Sequence, residues 1–265
     1  METDAIVLDT TDHADSDLIV TFFTQNAGKI SAIAKGAKKS KKRFVNKLEP
    51  FSSLQIHYQQ KSQNALAFLR EAELQNSYYN LRCDLNLYSA ASVISEFLLL
   101  GIREGSPENN IFRLTLWAMN QLDRGREAGQ VLALFLVRFY DYLGYRPNLR
   151  RCTHCGKKLQ GPAQYILDGE TQLRCTSCRH SGYPDQRLSF GTIKLLQRAQ
   201  DQPLERLHIL KISGTILSEA LHLLHLYGRQ IFQRDIQSWQ SLRWCGRVPP
   251  KPDYRKRIGT EAQSA

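Results

Sequence analysis

Long hydrophobic runs are missing from this 265-residue sequence, which contains no stretch of 18 or more apolar residues. A transmembrane helix needs about 20 such residues, so none is expected and no membrane partner is predicted. The first ten residues, METDAIVLDT, carry acids where a secretion signal carries basic side chains. We therefore expect a cytoplasmic protein. If the protein is bacterial, we expect it to associate with the nucleoid.

Recognisable catalytic motifs are also missing. The sequence has no G-x-x-x-x-G-K-[ST] nucleotide loop, no H-E-x-x-H and no G-x-S-x-G. Acids cluster only between Glu2 and Asp17, where a nuclease would use them to bind metal ions. We interpret the stretch DTTDHADSD instead as a polar connection between strands. The sequence thus predicts a protein that is not an enzyme.

Acidic residues are absent between Leu18 and Leu48, although the same stretch is rich in lysine. The formal net charge is +11, which favours polyanionic partners such as nucleic acid. A lysine-rich loop is either a solvated surface or a grip for phosphates. Lysine suits phosphate contacts that do not read bases. The candidate DNA-binding residues are Lys35, Lys38, Lys39, Lys41, Lys42, Arg43 and Lys47.

Residues 2–75 have the pattern of short strands separated by turns. Five short strands with no long helix are typical of an OB-type barrel, and the basic run falls between the third and fourth. Aromatic residues near this run would either stack on bases or fill the barrel core: Phe22, Phe44, Phe51 and Tyr58. The candidate strands are Ala5–Leu8, Leu18–Phe23, Lys29–Ala34, Phe51–Tyr58 and Leu66–Leu74.

From about Tyr79 the apolar residues recur with helical spacing. We predict three packed helices, the first ending at Gly101 and the second capped by Asn110. Another helical region begins near Ser189. The fold class is therefore α+β. The expected units are an OB-fold DNA-binding domain (1–80), a helical domain (81–148 and 187–246), an inserted module (149–186) and a disordered basic tail (247–265).

Six cysteines are present, and four of them form two C-x-x-C pairs. Two such knuckles suit one tetrahedral Zn²⁺ held by four thiolates. A site with four protein ligands is closed to water, so we expect one structural zinc. The predicted ligands are Cys152, Cys155, Cys175 and Cys178, and His154 is a less favoured alternative. The isolated Cys83 and Cys245 are interpreted as small buried side chains.

Four segments, taken in their order along the chain, resemble the RecO family of bacterial recombination mediators. They are S-D-L-I-V-T-F-F-T, G-K-I, K-G-A and RFYDYLGYRPNLRRCTHCG. The resemblance covers most of the chain, and Phe139–Gly156 is its most specific part. It implies an OB-fold, a helical domain and a zinc module inserted between helices. It also implies binding of single- and double-stranded DNA, strand annealing, and action with RecR to load RecA on DNA coated by single-strand-binding protein.

The sequence leaves two other functions open. One is a zinc-ribbon adaptor whose cysteine module contacts a nucleic acid or a protein. The other is a metal-dependent nuclease. Resemblance to RecO assigns DNA binding to the basic loop, at Lys35, Lys38, Lys39, Lys41, Lys42 and Arg43.

Overall fold

The structure is a computed structural model that describes residues 1–62, 65–159, 165–167, 171–178 and 186–242. The expected disordered tail (247–265) and Cys245 lie outside these residues. Within the described ranges, no helix has the length and apolar character needed to cross a bilayer.

The N-terminal part is a closed five-stranded barrel, which confirms the predicted OB-type fold. Neighbouring strands pair in the order β1-β2-β3-β5-β4, and β1 pairs with β4 to close the barrel. All pairs are antiparallel except the short parallel contact between β3 and β5. The strands are β1 (Glu2–His13), β2 (Asp17–Thr24), β3 (Gly28–Ala34), β4 (Ser53–Gln59) and β5 (Ala67–Asn76).

Strand β1 is buried on both faces, which accounts for the continuous apolar run in its sequence. Ala5 and Val7 point into the barrel core, whereas Ile6 and Leu8 pack into the helical core outside it. A strand that is buried on both faces needs apolar residues at every position rather than at alternate ones. Phe22 and Phe23 divide between the two cores in the same way.

The acidic stretch DTTDHADSD is mostly strand, so its interpretation as a connection was wrong. Asp9–His13 continue β1 and pair in register with β2, as far as His13 opposite Asp17. Only Ala14, Asp15 and Ser16 form the turn. Cross-strand hydrogen bonds hold this polar ribbon, and such pairing cannot be read from local composition.

Helices follow the barrel, and the spacing of apolar residues predicted the longer ones. The first three long helices pack on one another, and the first of them ends at Gly101 as expected. Two further long helices follow the cysteine module. The helices are α1 (Tyr79–Cys83), α2 (Leu85–Gly101), α3 (Asn109–Asp123), α4 (Ala128–Tyr142), α5 (Phe190–Asp201) and α6 (Gly214–Phe232).

Capping was predicted correctly for one helix and wrongly for another. The Ser189 hydroxyl accepts a hydrogen bond from the Thr192 amide at the start of α5, as expected of an N-cap. Helix α3 is preceded by Glu108, so Asn110 lies inside its first turn and is not the cap. Cys83 is exposed at the end of α1, which contradicts its interpretation as a buried side chain.

The barrel contributes side chains to the hydrophobic core of the helices. Phe23 of β2 contacts Phe112 of α3 edge to face, with ring centroids 5.4 Å apart. At the β2–β3 turn, Gly28 has a φ of +65°, and an added Cβ would lie 2.3 Å from the Ser106 carbonyl oxygen. A side chain is therefore excluded where the barrel meets the loop between α2 and α3.

The cysteine module is a small sheet packed on the helices. It contains β6 (Tyr165–Leu167), β7 (Leu173–Cys175) and β8 (Gln186–Leu188), in the order β7-β6-β8. Two buried glutamines of α5 fix the chain that enters the module. Gln200 donates to the Pro147 carbonyl at 3.0 Å, and Gln197 donates to the Leu149 carbonyl at 2.5 Å.

Candidate nucleic-acid interface and metal centre

The basic loop, defined here as residues 35–52, crosses from β3 to β4 at one end of the barrel. It begins with a short 3-10 turn at Ala37–Lys39. Its start is fixed to the β1–β2 hairpin, because the Gly36 amide donates to Asp17 Oδ1 at 2.7 Å and the Lys38 amide donates to the Ser16 carbonyl at 3.0 Å. The hydrogen bond from the Gly36 amide lowers the pKa of the Asp17 carboxyl below its usual value, although burial acts in the opposite direction.

Two apolar side chains tether the rest of the loop. Phe44 and Leu48 are buried in the barrel core, so the loop closes that end of the barrel. Between these anchors and the hairpin, the charged side chains project outward. The loop is therefore a fixed support for its cations rather than an unanchored segment.

Six of the seven predicted DNA-binding residues are exposed: Lys35, Lys38, Lys39, Lys41, Lys42 and Arg43. Lys39, Lys41 and Lys42 make no ion pair or hydrogen bond through their side chains with any described residue. Arg43 lies over the Phe44 ring at 4.4 Å and donates to the Lys35 carbonyl at 2.6 Å.

Two of the seven cations, Lys38 and Lys47, have side-chain ammonium groups that bind partners inside the barrel domain. Lys38 Nζ lies 3.1 Å from Asp12 Oδ2 and donates to the Ala14 carbonyl at 3.2 Å. Lys47 is half-buried, and its Nζ donates to the Ala72 carbonyl at 2.7 Å. These two lysines hold the loop in place, which the sequence could not show.

The four aromatic residues near the loop are core residues. Each of Phe22, Phe44, Phe51 and Tyr58 is less than 5% exposed, so none offers a free ring face. The structure instead places Phe68 and Arg70 on the outer side of β5, neither of which the sequence analysis selected. Alternation in A-F-L-R, with Ala67 and Leu69 buried, is the signal that would have pointed to them.

The two C-x-x-C pairs form adjacent knuckles. In the first, the Gly156 amide donates to the Cys152 carbonyl at 3.0 Å, and Gly156 has a φ of +72°. The Thr153 amide donates to the Leu173 carbonyl at 3.0 Å and so joins this knuckle to β7. The Cys175 amide points at Cys152 Sγ from 3.4 Å.

All four predicted cysteine ligands come together. Their sulfur atoms lie within 4.8 Å of one another, and Cys155 Sγ is 3.8 Å from Cys175 Sγ. With zinc–sulfur bonds of about 2.3 Å, a tetrahedral site places its sulfurs about 3.8 Å apart. The spacing therefore fits a metal and is too long for a disulfide. Among the described residues, no other group of histidine, cysteine or acidic side chains has such a geometry.

The local environments of Cys152 and Cys178 shift the pKa values of the two thiols in opposite directions. Burial raises the pKa of Cys152, but hydrogen bonds from the backbone amides of Cys155, Cys175 and His154 outweigh it and lower that pKa to about 6. Burial and the neighbouring thiols raise the pKa of Cys178 to about 12. Backbone amides that donate to sulfur favour thiolates, which are the form that binds metal. The exposed His154 side chain is not part of the cluster.

Two family models match this chain. "Recombination protein O N terminal" matches residues 1–78, and "Recombination protein O C terminal" matches residues 82–240. The chain belongs to the RecO family. This RecO-family chain is 32% identical over 244 residues to DNA repair protein RecO of Syntrophus aciditrophicus, which covers 91% of this chain and 94% of that protein.

Other RecO proteins show the same similarity. DNA repair protein RecO of Syntrophobacter fumaroxidans is 32% identical over 77% of this chain and 82% of its own. The protein of the same name from Desulfatibacillum aliphaticivorans is 35% identical over 73% of this chain and 77% of its own. Membership of the family supports a role in recombinational DNA repair.

Proposed function

We propose that this RecO-family chain is a non-enzymatic DNA-binding mediator of bacterial recombinational repair that acts in the cytoplasm, at the nucleoid. It binds single- and double-stranded DNA, anneals complementary strands and, with RecR, helps load RecA on DNA coated by single-strand-binding protein. The observation that carries this proposal is the fixed loop with unpaired cations on an OB-type barrel. Residues 1–80 act as the DNA-binding domain.

Charge neutralisation gives the mechanism of annealing. Two complementary strands repel each other through their phosphates. When cationic side chains of the protein contact the phosphates, they displace the condensed counterions into solution and reduce the repulsion between the strands. Lys39, Lys41 and Lys42 are suited to this role because no carboxylate in the described residues competes for them. Since lysine contacts phosphate as a point charge, the loop binds without sequence preference.

A pair of matched triple variants tests the loop. We expect Lys39→Gln, Lys41→Gln and Lys42→Gln together to weaken DNA binding at least tenfold. The slope of log affinity against log salt should become shallower by about 2 to 3, since each lost phosphate contact contributes about 0.7 to 0.9. Fluorescence anisotropy with labelled oligonucleotides over a salt series measures both quantities.

The control triple removes the same charge from the first cysteine knuckle, with Arg151→Gln, Lys157→Gln and Lys158→Gln. These side chains are exposed and lie outside the barrel. This variant should bind DNA like the wild type. The opposite pattern, with binding lost only in the knuckle triple, would favour a zinc-ribbon adaptor over the mediator.

Strand annealing distinguishes the mediator from the nuclease. We expect purified protein to anneal labelled complementary strands, with and without single-strand-binding protein, and to leave them uncut when Mg²⁺ is added. Addition of RecR should then accelerate the appearance of RecA's ATPase activity on coated DNA. Cleavage of the strands would overturn the proposal.

We also propose that Cys152, Cys155, Cys175 and Cys178 hold one structural zinc ion. The donor set and sulfur spacing support this, and four protein ligands leave no position for water. Elemental analysis should find about one zinc per chain. Cys175→Ser should lose the metal and lower the melting temperature, whereas Cys83→Ser, at an exposed cysteine outside the cluster, should do neither. Full stability without metal would contradict a structural role.

A further inference from the structure

An apolar row crosses the outer face of the barrel. Ile19 of β2 pairs with Ile33 of β3, and Ile33 pairs with Phe68 of β5. These three side chains, named here the barrel platform, are half-buried. Among the described residues they are not packed against either hydrophobic core. The outer face of a barrel strand is normally polar where water covers it, so an apolar row there indicates a binding surface.

Two cations flank the aromatic member of the platform. The Arg70 guanidinium lies 4.4 Å from the centroid of the Phe68 ring, and Lys35 Nζ lies 5.8 Å from it. Arg70 is held in place because its Nε and Nη2 both donate to Gln59 Oε1, at 3.1 and 2.7 Å. The ring therefore lies on an outward surface with a fixed guanidinium on one side and an exposed ammonium nearby.

The platform is continuous with the basic loop. Lys35 is the first residue of that loop and follows β3 directly, so one side chain belongs to both surfaces. A strand whose phosphates lie along the loop would bring its bases over Phe68 with no gap between the two surfaces. This charge pattern and continuity favour a nucleic acid over an uncharged apolar peptide.

We propose that Phe68, supported by Ile19 and Ile33, is a base-stacking platform for single-stranded nucleic acid. The proposal rests on the proposed DNA-binding function and adds strand selectivity to it. A flat ring flanked by cations binds an unpaired base by stacking while the cations contact its phosphate. In a duplex the base faces are covered by their neighbours, so the platform contributes only to single-strand binding. The loop contributes to both.

Substitution of Phe68 tests the proposal. Phe68→Ala should weaken binding of a single-stranded oligonucleotide by about 5-fold to 100-fold, the range for loss of one stacked base. Duplex affinity should change less than twofold. The salt slope should stay that of the wild type, because no phosphate contact is removed. Phe68→Tyr should retain affinity, and Phe68→Leu should behave like the alanine variant.

Controls separate stacking from loss of structure. Tyr145→Ala removes an aromatic side chain that is 53% exposed on the helical part, and should leave both affinities unchanged. In the wild-type protein, photocrosslinking with an oligonucleotide that carries 5-iodouracil should label the peptide that contains Phe68. This measurement does not depend on how any variant folds.

The outcomes are distinct from those of the loop experiment. If Phe68→Ala or Phe68→Leu binds single strands like the wild type, or no crosslink forms at β5, the platform is overturned. If the loop triple also binds normally, the proposed function fails with it. Loss of binding in the loop triple alone would retain the function and reject only the platform.

Discussion

At the scale of single residues, the environment of His225 predicts a pH dependence of stability. Its ring stacks on Trp239, with centroids 4.3 Å apart and an angle of 8° between the planes. Burial, together with the charges of Arg229 and His222, lowers the pKa of His225 to about 4, and Asp235 opposes this shift. Burial also lowers the pKa of His222.

The pH dependence follows from these pKa values. An unfolded histidine has a pKa of about 6.5, so between that value and about 4 the unfolded chain binds more protons. The stabilising effect of neutral His225 is therefore complete above about pH 6.5 and is lost as the pH falls. We expect the free energy of unfolding to decrease by on the order of 1–3 kcal/mol from about pH 7.5 to about pH 5.

Denaturant titrations at the two pH values measure this decrease. His225→Phe keeps a flat ring against Trp239 but cannot bind a proton, so its stability should change less over the same range. An identical decrease in the variant and the wild type would assign the effect to other groups, such as His222, whose pKa burial also lowers.

At the scale of elements, Arg138 of α4 ties the end of α5 to the helical core. Its side chain is only 9% exposed. Nη1 donates to the carbonyls of Gln200 at 2.9 Å and Gln202 at 2.7 Å, and Nη2 lies 2.5 Å from the Tyr142 hydroxyl. The last carbonyls of a helix have no hydrogen-bond donor within the helix and carry partial negative charge. A buried guanidinium supplies both the donors and a compensating positive charge.

We therefore expect Arg138→Met to lower the free energy of unfolding by about 2–4 kcal/mol, because it leaves buried carbonyls without a donor. Arg198→Met removes the same charge from an exposed position in the last turn of α5 and should cost much less. Thermal melts of both variants test this. Equal losses would show that charge near the helix end matters, rather than the hydrogen bonds.

Elements with a strong local pattern were predictable from the sequence, and those that depend on distant pairing were not. The apolar spacing identified α2, and the paired cysteines identified their cluster because each knuckle closes within a few residues. Asp9–His13 were missed because only their partners on β2 make them a strand. The platform was missed because β3 and β5 meet through a parallel contact between distant segments.

At the scale of the whole molecule, the basic loop differs from parts of the helical region in how its charges are paired. In the described part of the chain, three arginines of the helical part have carboxylate partners: Arg146 and Arg150 both contact Asp201, and Arg113 contacts Glu205. The loop lysines Lys39, Lys41 and Lys42 do not. Part of the net charge of +11 is therefore carried by unpaired cations on the barrel, where the DNA contact is proposed.

The barrel residues in the helical core should make the barrel and the helices one unfolding unit. Ile6, Leu8, Phe23 and Phe51 belong to barrel strands or their flank but lie in the helical core. Separating the two parts would expose these side chains to water, at about 25 cal/mol for each square ångström of apolar surface. The two parts should therefore lose their structure together rather than in sequence.

Urea unfolding followed by two probes tests this cooperativity. No tryptophan lies in the barrel sequence, and Trp117 and Trp239 lie in the helical part. Tryptophan fluorescence therefore reports the helical part, whereas hydrogen exchange of β2 and β4 peptides reports the barrel. The two midpoints should coincide. Combining Phe23→Ala with Phe112→Ala should give a coupling energy of about 0.5–1.5 kcal/mol across the interface. A barrel that opens at lower urea than the helices, with no coupling, would show two independent domains and would allow the barrel to be studied alone.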